Sequence, residues 1–565
     1  EHEDFIRIEG PEEISLCDLA CGSGHILVYA FNLLFQMYTE RGYREREVPQ
    51  LILQNNLTGM EIDPRAAQIA HLALAMCARE HDRRFFTRGV EADVSVIAPT
   101  VFEEGELPEG AALLGQPQLV DALARLDEIG SLLNPTEAEF SAVRSDAQRF
   151  AEAGRASLFG ANVAEKLSQA KQTCESLERK FTCVVANPPY MGSSSFSPFM
   201  SKWIKKNYPD VKSDLCTCFI ERGFDLVQKH GYSAMVTMQS WMFLGSFEKM
   251  RTKLIEQNSI VSMAHIGARG FDSIGGEVVS TTATVFAVGQ PDLEGAYLRL
   301  VDPAGEAAKK AAALEAIANP DCGYFYRRNA KTFTQIPGTP IAYWASEKLL
   351  SSFAESFRLD SAIETRQGLA TGGDHEFVRF WWEVSSSLSE FGCSSVASAL
   401  SGDKKWFPLN KGGEYRKWFG NNDLVIAYDQ ENRDKLKSAG NHLPSEAYYF
   451  RPQVTWSKVT AGPIAFRYMP EGRLFGVAGG GIFGEEKDLI YVQGLCNSSY
   501  MTLVARLLSP TLNYEVGQIA SYPYRNADGA SEDSVNELVV DSRRTSKEDW
   551  DSFETSWDFK RHPLV

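Results

Sequence analysis

Ile14-Ser15-Leu16-Cys17-Asp18-Leu19-Ala20-Cys21-Gly22-Ser23-Gly24 is a short apolar strand running into a glycine-rich turn, and the reading of the first half of the chain works outward from it. Behind the turn, apolar residues recur on a 3.6-residue period from His25 to Tyr38, which predicts a helix. A second strand over 56–63 ends in Glu61-Ile62-Asp63, and a second helix is expected over 66–79. Strand, glycine turn, helix and acid-tipped strand open a doubly wound, Rossmann-like α/β sheet.

Downstream, residues 101–180 are rich in Ala, Glu and Leu and carry 14 acids against 8 bases, which predicts a helical insertion between two strands. The sheet resumes at Phe181-Thr182-Cys183-Val184-Val185-Ala186, and Asn187-Pro188-Pro189-Tyr190 follows at once. A helix over 214–228, a strand over 232–238, a helix over 247–257 and strands near 259–266 and 280–288 complete the domain, with a connecting helix over 304–318. Past about 330 the texture changes to aromatics, glycines and short alternating strands. Three regions are expected: a first domain over 1–330, a mixed α+β domain over 331–525, and a polar, acidic tail over 526–565 that is a linker or the start of a further region.

Bulk properties set limits. At 565 residues the chain is too long for one compact domain. No run approaches the roughly 20 apolar residues of a membrane helix, so no membrane partner is expected. The ten cysteines include no CxxC pair, which points to reduced thiols in a cytoplasm and to no metal site. A net charge of −17 argues against coating nucleic acid over the whole surface but leaves room for a local basic groove. The chain starts at Glu1 without a signal-peptide pattern, and the numbering is expected to start inside a longer natural chain.

Glycine has no Cβ, so the turn Gly22-Ser23-Gly24 lets a ligand approach the backbone. A carboxylate at the tip of the next strand can accept both hydroxyls of a ribose. Glu61 and Asp63 alternate along that strand, so one faces the ligand; Glu61 is favoured, and Asp63, followed by Pro64, reads as a helix cap. Position 27 is Leu, which leaves the GxGxxG dinucleotide fingerprint incomplete and favours S-adenosylmethionine, which has no pyrophosphate, over NAD.

Asn187-Pro188-Pro189-Tyr190 suits methyl transfer to an amine on an aromatic ring. Such a nitrogen is a poor nucleophile because its lone pair is delocalised. Two acceptors aimed at its hydrogens, the Asn187 side-chain oxygen and the Pro188 carbonyl, would draw it towards tetrahedral geometry and stabilise the developing positive charge. The prolines stiffen the turn and remove competing N–H donors. Tyr190 can stack on the flat base.

Asp18-Leu19-Ala20-Cys21-Gly22-Ser23-Gly24 followed by Asn187-Pro188-Pro189-Tyr190 resembles the amino-methyltransferases of the γ order, in which cofactor motif, catalytic motif and target-recognition domain follow in that sequence. The stretches 21–27, 238–244, 271–282, 366–372 and 416–422 are similar to the PglX methyltransferases of BREX phage-defence systems, and the resemblance runs from about 15 to 560. It implies an S-adenosylmethionine-dependent methyltransferase domain followed by a DNA target-recognition domain. The implied activity is site-specific N6-methylation of adenine flipped out of double-stranded DNA, serving phage defence by marking self. It also implies that Asp18, Ala20, Cys21, Gly22 and Gly24 surround the methionine part of the cofactor, that Glu61 holds the ribose and that Ile62 packs on the cofactor's adenine. Asn187, Pro188, Pro189 and Tyr190 are implied to be catalytic, with Phe271 as a second aromatic against the flipped base. An acid after the third strand is implied to contact the cofactor's adenine, and Asp93 is assigned to it. Family members carry a cofactor-binding segment upstream of the first motif and run beyond this C-terminus, so both ends are expected to be cut or missing.

DNA contacts are expected from two stretches in which bases alternate with aromatics and glycines. The first, 402–420, has five bases against two acids and includes Lys404, Lys405, Arg416 and Lys417; the second, 449–475, includes Arg451, Lys458, Arg467 and Arg473. Other BREX defence proteins are expected partners, and acidic phage proteins that imitate DNA are expected to compete for the same groove. Three alternatives remain open: a fused restriction–modification enzyme whose nuclease lies outside this chain, a protein methyltransferase acting on glutamine amides, and a DNA-sensing subunit that retains a cofactor pocket.

Overall fold

In the computed structural model, the described residues are 5–153, 158–272, 279–438, 443–460, 462–509, 513–562 and 564. The chain divides into two units, Glu1–Thr334 and Gln335–Val565.

Among its described residues the first unit has nine strands: β1 (Leu16–Asp18), β2 (Leu57–Glu61), β3 (Asp93–Val96), β4 (Phe181–Ala186), β5 (Val227–Met238), β6 (Ser259–Gly267), β7 (Thr281–Ala287), β8 (Glu294–Arg299) and β9 (Phe325–Asn329). Their order in the sheet is β3-β2-β1-β4-β5-β7-β6-β8-β9. The first five are parallel to their neighbours, and β7 runs antiparallel between β5 and β6. The chain therefore reverses its direction of travel across the sheet between β1 and β4. Such a switch point opens a crevice beyond the carboxyl ends of those strands. Leu16 pairs with Leu57 and Cys183, so the turns after β1, β2 and β4 emerge side by side.

Local signals explain the start of the two leading helices. Gly24, at φ +85°, turns the chain into the helix His25–Glu40, whose Leu27, Ala30, Phe31, Leu34 and Tyr38 face the core. A Cβ at Gly24 would stand 3.0 Å from the Ala70 Cβ, so the two helices meet only because no side chain is there. The helix Pro64–His81 begins with Pro64 and is capped by Asp63, whose carboxylate accepts from the Arg65 N–H at 2.9 Å.

The expected insertion is helical, with its longest helices at Glu137–Ala153 and Leu158–Glu178. Its middle is more than an appendage. The short helix Leu126–Ile129 and the buried residues Gly130, Ser131 and Leu132 return to the sheet at the crevice.

The second unit is mixed α+β. One four-stranded sheet orders Glu364–Arg366, Gly481–Phe483, Gln453–Trp456 and Phe466–Met469; another orders Val378–Phe380, Leu424–Ala427, Trp406–Asn410 and Leu474–Phe475. Separate apolar cores, around Trp456 and Phe466 and around Phe407 and Phe475, stand under these sheets. The tail assigned to 526–565 holds a 22-residue helix, Gly529–Trp550, packed against the helix Glu486–Cys496: a Cβ on Gly494 would stand 2.8 Å from Val539. Among the described residues no helix is long and apolar enough to cross a membrane.

Candidate active site

The turn after β1 and the tip of β2 form one hydrogen-bonded unit. Glu61 Oε2 accepts from the Gly22 N–H at 2.7 Å, and Oε1 accepts from the N–H groups of Ile62 and Asp63 at 2.9 and 3.0 Å. Three backbone donors hold this carboxylate in one orientation and leave a lone pair for further donors. Asp63 points into its helix cap instead, as the alternation along the strand requires.

Asp18 is 1% exposed, and its Oδ1 accepts from the Ala20 N–H at 3.1 Å. Burial pushes its carboxyl up to about 7, with the charge of Glu61 adding to the rise and the Ala20 N–H opposing it. Cys21 is buried; its N–H donates to the Met60 carbonyl and ties the turn to β2, and burial pushes its thiol up to about 12. Such a thiol is a packing group and not a nucleophile.

A cavity of about 600 Å³ lies over these turns. Leu19, Ala20, Glu61 and Ile62 line it from the first two turns, and Asn187, Pro189 and Met191 from the turn after β4. Ile97, Met200, Leu215 and Phe219 add an apolar wall, Asp127 to Leu132 line it from the helical insertion, and Ser195 and Ser197 complete it. A cavity that is largely apolar with one fixed acid at a strand tip suits an aromatic base carrying a ribose.

Within the turn after β4, Asn187 is exposed, Pro188 buried, and the Tyr190 hydroxyl donates to Asn187 Oδ1 at 3.0 Å. Burial pushes the Tyr190 phenol up to about 12, so it remains a donor at neutral pH. Asp18, Cys21, Gly22 and Gly24 shape the first turn without lining the cavity, and neither Pro188 nor Tyr190 lines it. Phe271 is half-buried beyond the end of β6 and does not line it either; Ser273–Val278, within the stretch 271–282, lie outside the described residues.

Asp93 is a correction. It opens β3 opposite Thr58, at the end of the strand away from the crevice, and Arg179 and the Thr58 hydroxyl bind its carboxylate. Besides Glu61, the acids that line the cavity are Asp127 and Glu128. They lie about 30 residues past β3, in what reads as featureless helical insertion; a run of buried small and apolar residues, Gly130-Ser131-Leu132-Leu133, was the available signal.

Each basic residue assigned to DNA already has a neighbour within the second unit. Lys404 donates to the Ser387 carbonyl at 2.6 Å and Lys417 to the Asn497 carbonyl at 2.8 Å. Arg416 pairs with Asp549 at 3.1 Å and covers the Trp550 ring, and Lys458 pairs with Glu515 at 3.0 Å. Lys405 lies against Trp406, and exposed Arg451 against Tyr448. Arg467 is also a correction. It is 1% exposed, donates to Ser457 Oγ at 3.2 Å, and burial lowers its pKa to about 10, so it is a core residue and not a phosphate ligand. Arg473 is buried likewise.

Comparison with known proteins bears on the chain as a whole. It is 35% identical to the adenine-specific methyltransferase BrxX of Escherichia coli O9:H4 (strain HS) and 36% identical to the adenine-specific methyltransferase PglX of Lacticaseibacillus casei (strain Zhang). Each alignment covers 98% of this chain and 47% of the relative. The chain resembles the BrxX and PglX adenine-specific methyltransferases. It spans about half the length of these PglX-type relatives. The Eco57I restriction-modification methylase family matches residues 55–271, a span that includes Glu61 and the Asn187 turn. Among solved structures, the type IIL restriction-modification enzyme MmeI in complex with DNA aligns with a TM-score of 0.55 at 12% identity, over 98% of this chain and 68% of MmeI. A nuclease-deletion mutant of the type ISP enzyme LlaGI aligns at 0.51 and 11% identity, over 94% of this chain and 44% of LlaGI. The fold is a Rossmann-like α/β domain followed by a mixed α+β domain, an arrangement shared with these restriction-modification enzymes.

Proposed function

We propose that this chain transfers a methyl group from S-adenosylmethionine to the exocyclic amine of adenine in double-stranded DNA, within a bacterial phage-defence system that marks self DNA. One observation carries the reading: Asn187 and Pro189 line the same cavity as Ala20 and Glu61, and Glu61 is bonded to the Gly22 N–H behind it. On this reading a cofactor site and an amine-polarising turn share one crevice.

The residues fit the cofactor. Glu61 would accept from its ribose, Ile62 and Ile129 would flank its adenine, and Asp18 with the turn after β1 would face its amino acid part. The cofactor supplies an activated methyl group. Asn187 Oδ1 and the Pro188 carbonyl accept from the target amine and stabilise charge that builds on its nitrogen. Because Tyr190 donates to Asn187 Oδ1, its hydroxyl also orients that oxygen and leaves the second lone pair for the amine. The ring of Tyr190 and that of Phe271 would hold the flipped base, at a cost of a few kcal/mol for unstacking it.

The test is methylation-sensitive sequencing of host DNA from cells carrying the wild-type protein or Asn187→Ala. N6-methyladenine at a defined motif is expected only with the wild type. Its absence from both, with full-length protein expressed, sinks the reading in favour of a DNA-sensing subunit.

A further inference from the structure

Arg222 sits on the helix Leu215–Leu226, is 1% exposed, and among the described residues has no carboxylate bonded to it. Burying a guanidinium is costly, and burial indeed lowers its pKa. What compensates is a pair of carbonyls from two distant parts of the insertion. Nε donates to the Ser131 carbonyl at 2.9 Å, and Nη2 donates to the Leu177 carbonyl at 2.6 Å. Leu177 lies in the last turn of the helix Leu158–Glu178, where free carbonyls and the helix dipole favour a cation.

The bonds continue towards the cofactor turn. The buried Ser131 hydroxyl donates to the Leu19 carbonyl at 2.7 Å, and Leu19 stands between Asp18 and Ala20. The Tyr208 hydroxyl holds the next residue by donating to the Leu132 carbonyl at 2.6 Å. Leu19, Ser131 and Leu132 all line the cavity, whereas Arg222 does not. Ser131 therefore closes the insertion onto the turn after β1, and Arg222 fixes Ser131 from behind.

We propose that Ser131 and Arg222 are positioning residues for the cofactor: together they make the helical insertion one wall of its site and set the conformation of the Asp18–Ala20 backbone. This rests on the reading of the cavity as the S-adenosylmethionine site. A lysine is expected to serve less well than Arg222, because the guanidinium presents its donors in a fixed planar fork and an ammonium does not.

The test is calorimetric titration of the full chain with S-adenosylmethionine, with thermal melts of the same samples. Ser131→Ala removes one hydroxyl and is the mild variant; it is expected to weaken binding about 3- to 10-fold, the range of one net hydrogen bond. Arg222→Lys is expected to weaken it at least as much. The double variant is expected to be no weaker than Arg222→Lys alone, because Arg222 acts through Ser131. In turnover assays the cofactor KM rises while kcat at saturation holds. Unchanged affinity in Ser131→Ala, or fully additive losses with only the melting temperature lowered, overturns the proposal. Wild-type protein that binds no cofactor instead overturns the functional reading beneath it.

Discussion

The crevice of the first unit and the basic stretches of the second unit were both read from short runs of sequence, and the fold treats them differently. In the crevice, residues as far apart along the chain as Leu19 and Met191, in the turns after β1, β2 and β4, line one cavity. In the second unit, Arg416, Lys417 and Lys458 are bonded to Asp549, the Asn497 carbonyl and Glu515, and Arg467 is in the core. The contrast is physical. A glycine turn or an Asn-Pro-Pro-Tyr turn after a strand has few backbone solutions, so its direction follows from its sequence. A lysine or arginine has a long stem, and its direction depends on which partner the rest of the fold offers.

The sharpest way to break this contrast is Asn187→Ala. It is expected to lower the rate about 100- to 1,000-fold while cofactor affinity holds; a loss within threefold, measured by methyl transfer to duplex, would remove the turn from the chemistry. Next comes the pair on β2. Glu61→Ala is expected to weaken S-adenosylmethionine binding by roughly 10- to 100-fold, as for a hydrogen-bonded charged group. Asp63→Ala is expected to lower stability slightly by removing the helix cap and to leave affinity unchanged. Calorimetry and denaturant melts separate the two, and the reverse pattern would mean that the other face of the strand meets the ligand.

Asp18 gives a pH test. Its folded value, about 7, lies above the ordinary carboxyl value, so the ligand-free fold is stabilised by the protonated form at acid pH. That contribution is lost as pH rises towards 7. A cation bound beside Asp18 favours the carboxylate, so cofactor affinity is expected to rise from pH 6 to pH 7.5 with proton release. Asp18→Asn is expected to flatten that dependence; an unchanged slope in titrations across this range places Asp18 outside the cofactor site.

The smallest effects belong to the second unit. Neutralising Lys404, Lys405, Arg416 and Lys417 together is expected to weaken binding to all duplexes alike and to reduce the log–log salt slope by up to about 0.9 for each phosphate left without its cation. Since Arg416 is paired with Asp549, its share is expected to be lower than that of Lys405. Arg467→Gln is expected to lower the melting temperature and leave the salt slope unchanged. A slope that falls for Arg467→Gln and holds for the quadruple variant would invert the comparison.

By itself the sequence determined the doubly wound start, the helix cap at Asp63 and the two turns that carry the site, because glycine, proline and alternation along a strand act over a few residues. It also separated Glu61, which accepts from the Gly22 N–H, from Asp63, which caps the helix. Only the tertiary structure decided that Asp93 faces Arg179 at the far end of β3, that Arg467 is buried, and that Asp127 to Leu132 return to close the cavity. Two of those outcomes depend on partners more than 80 residues away in sequence, Arg179 for Asp93 and Leu19 for Ser131, which no local period or turn preference encodes.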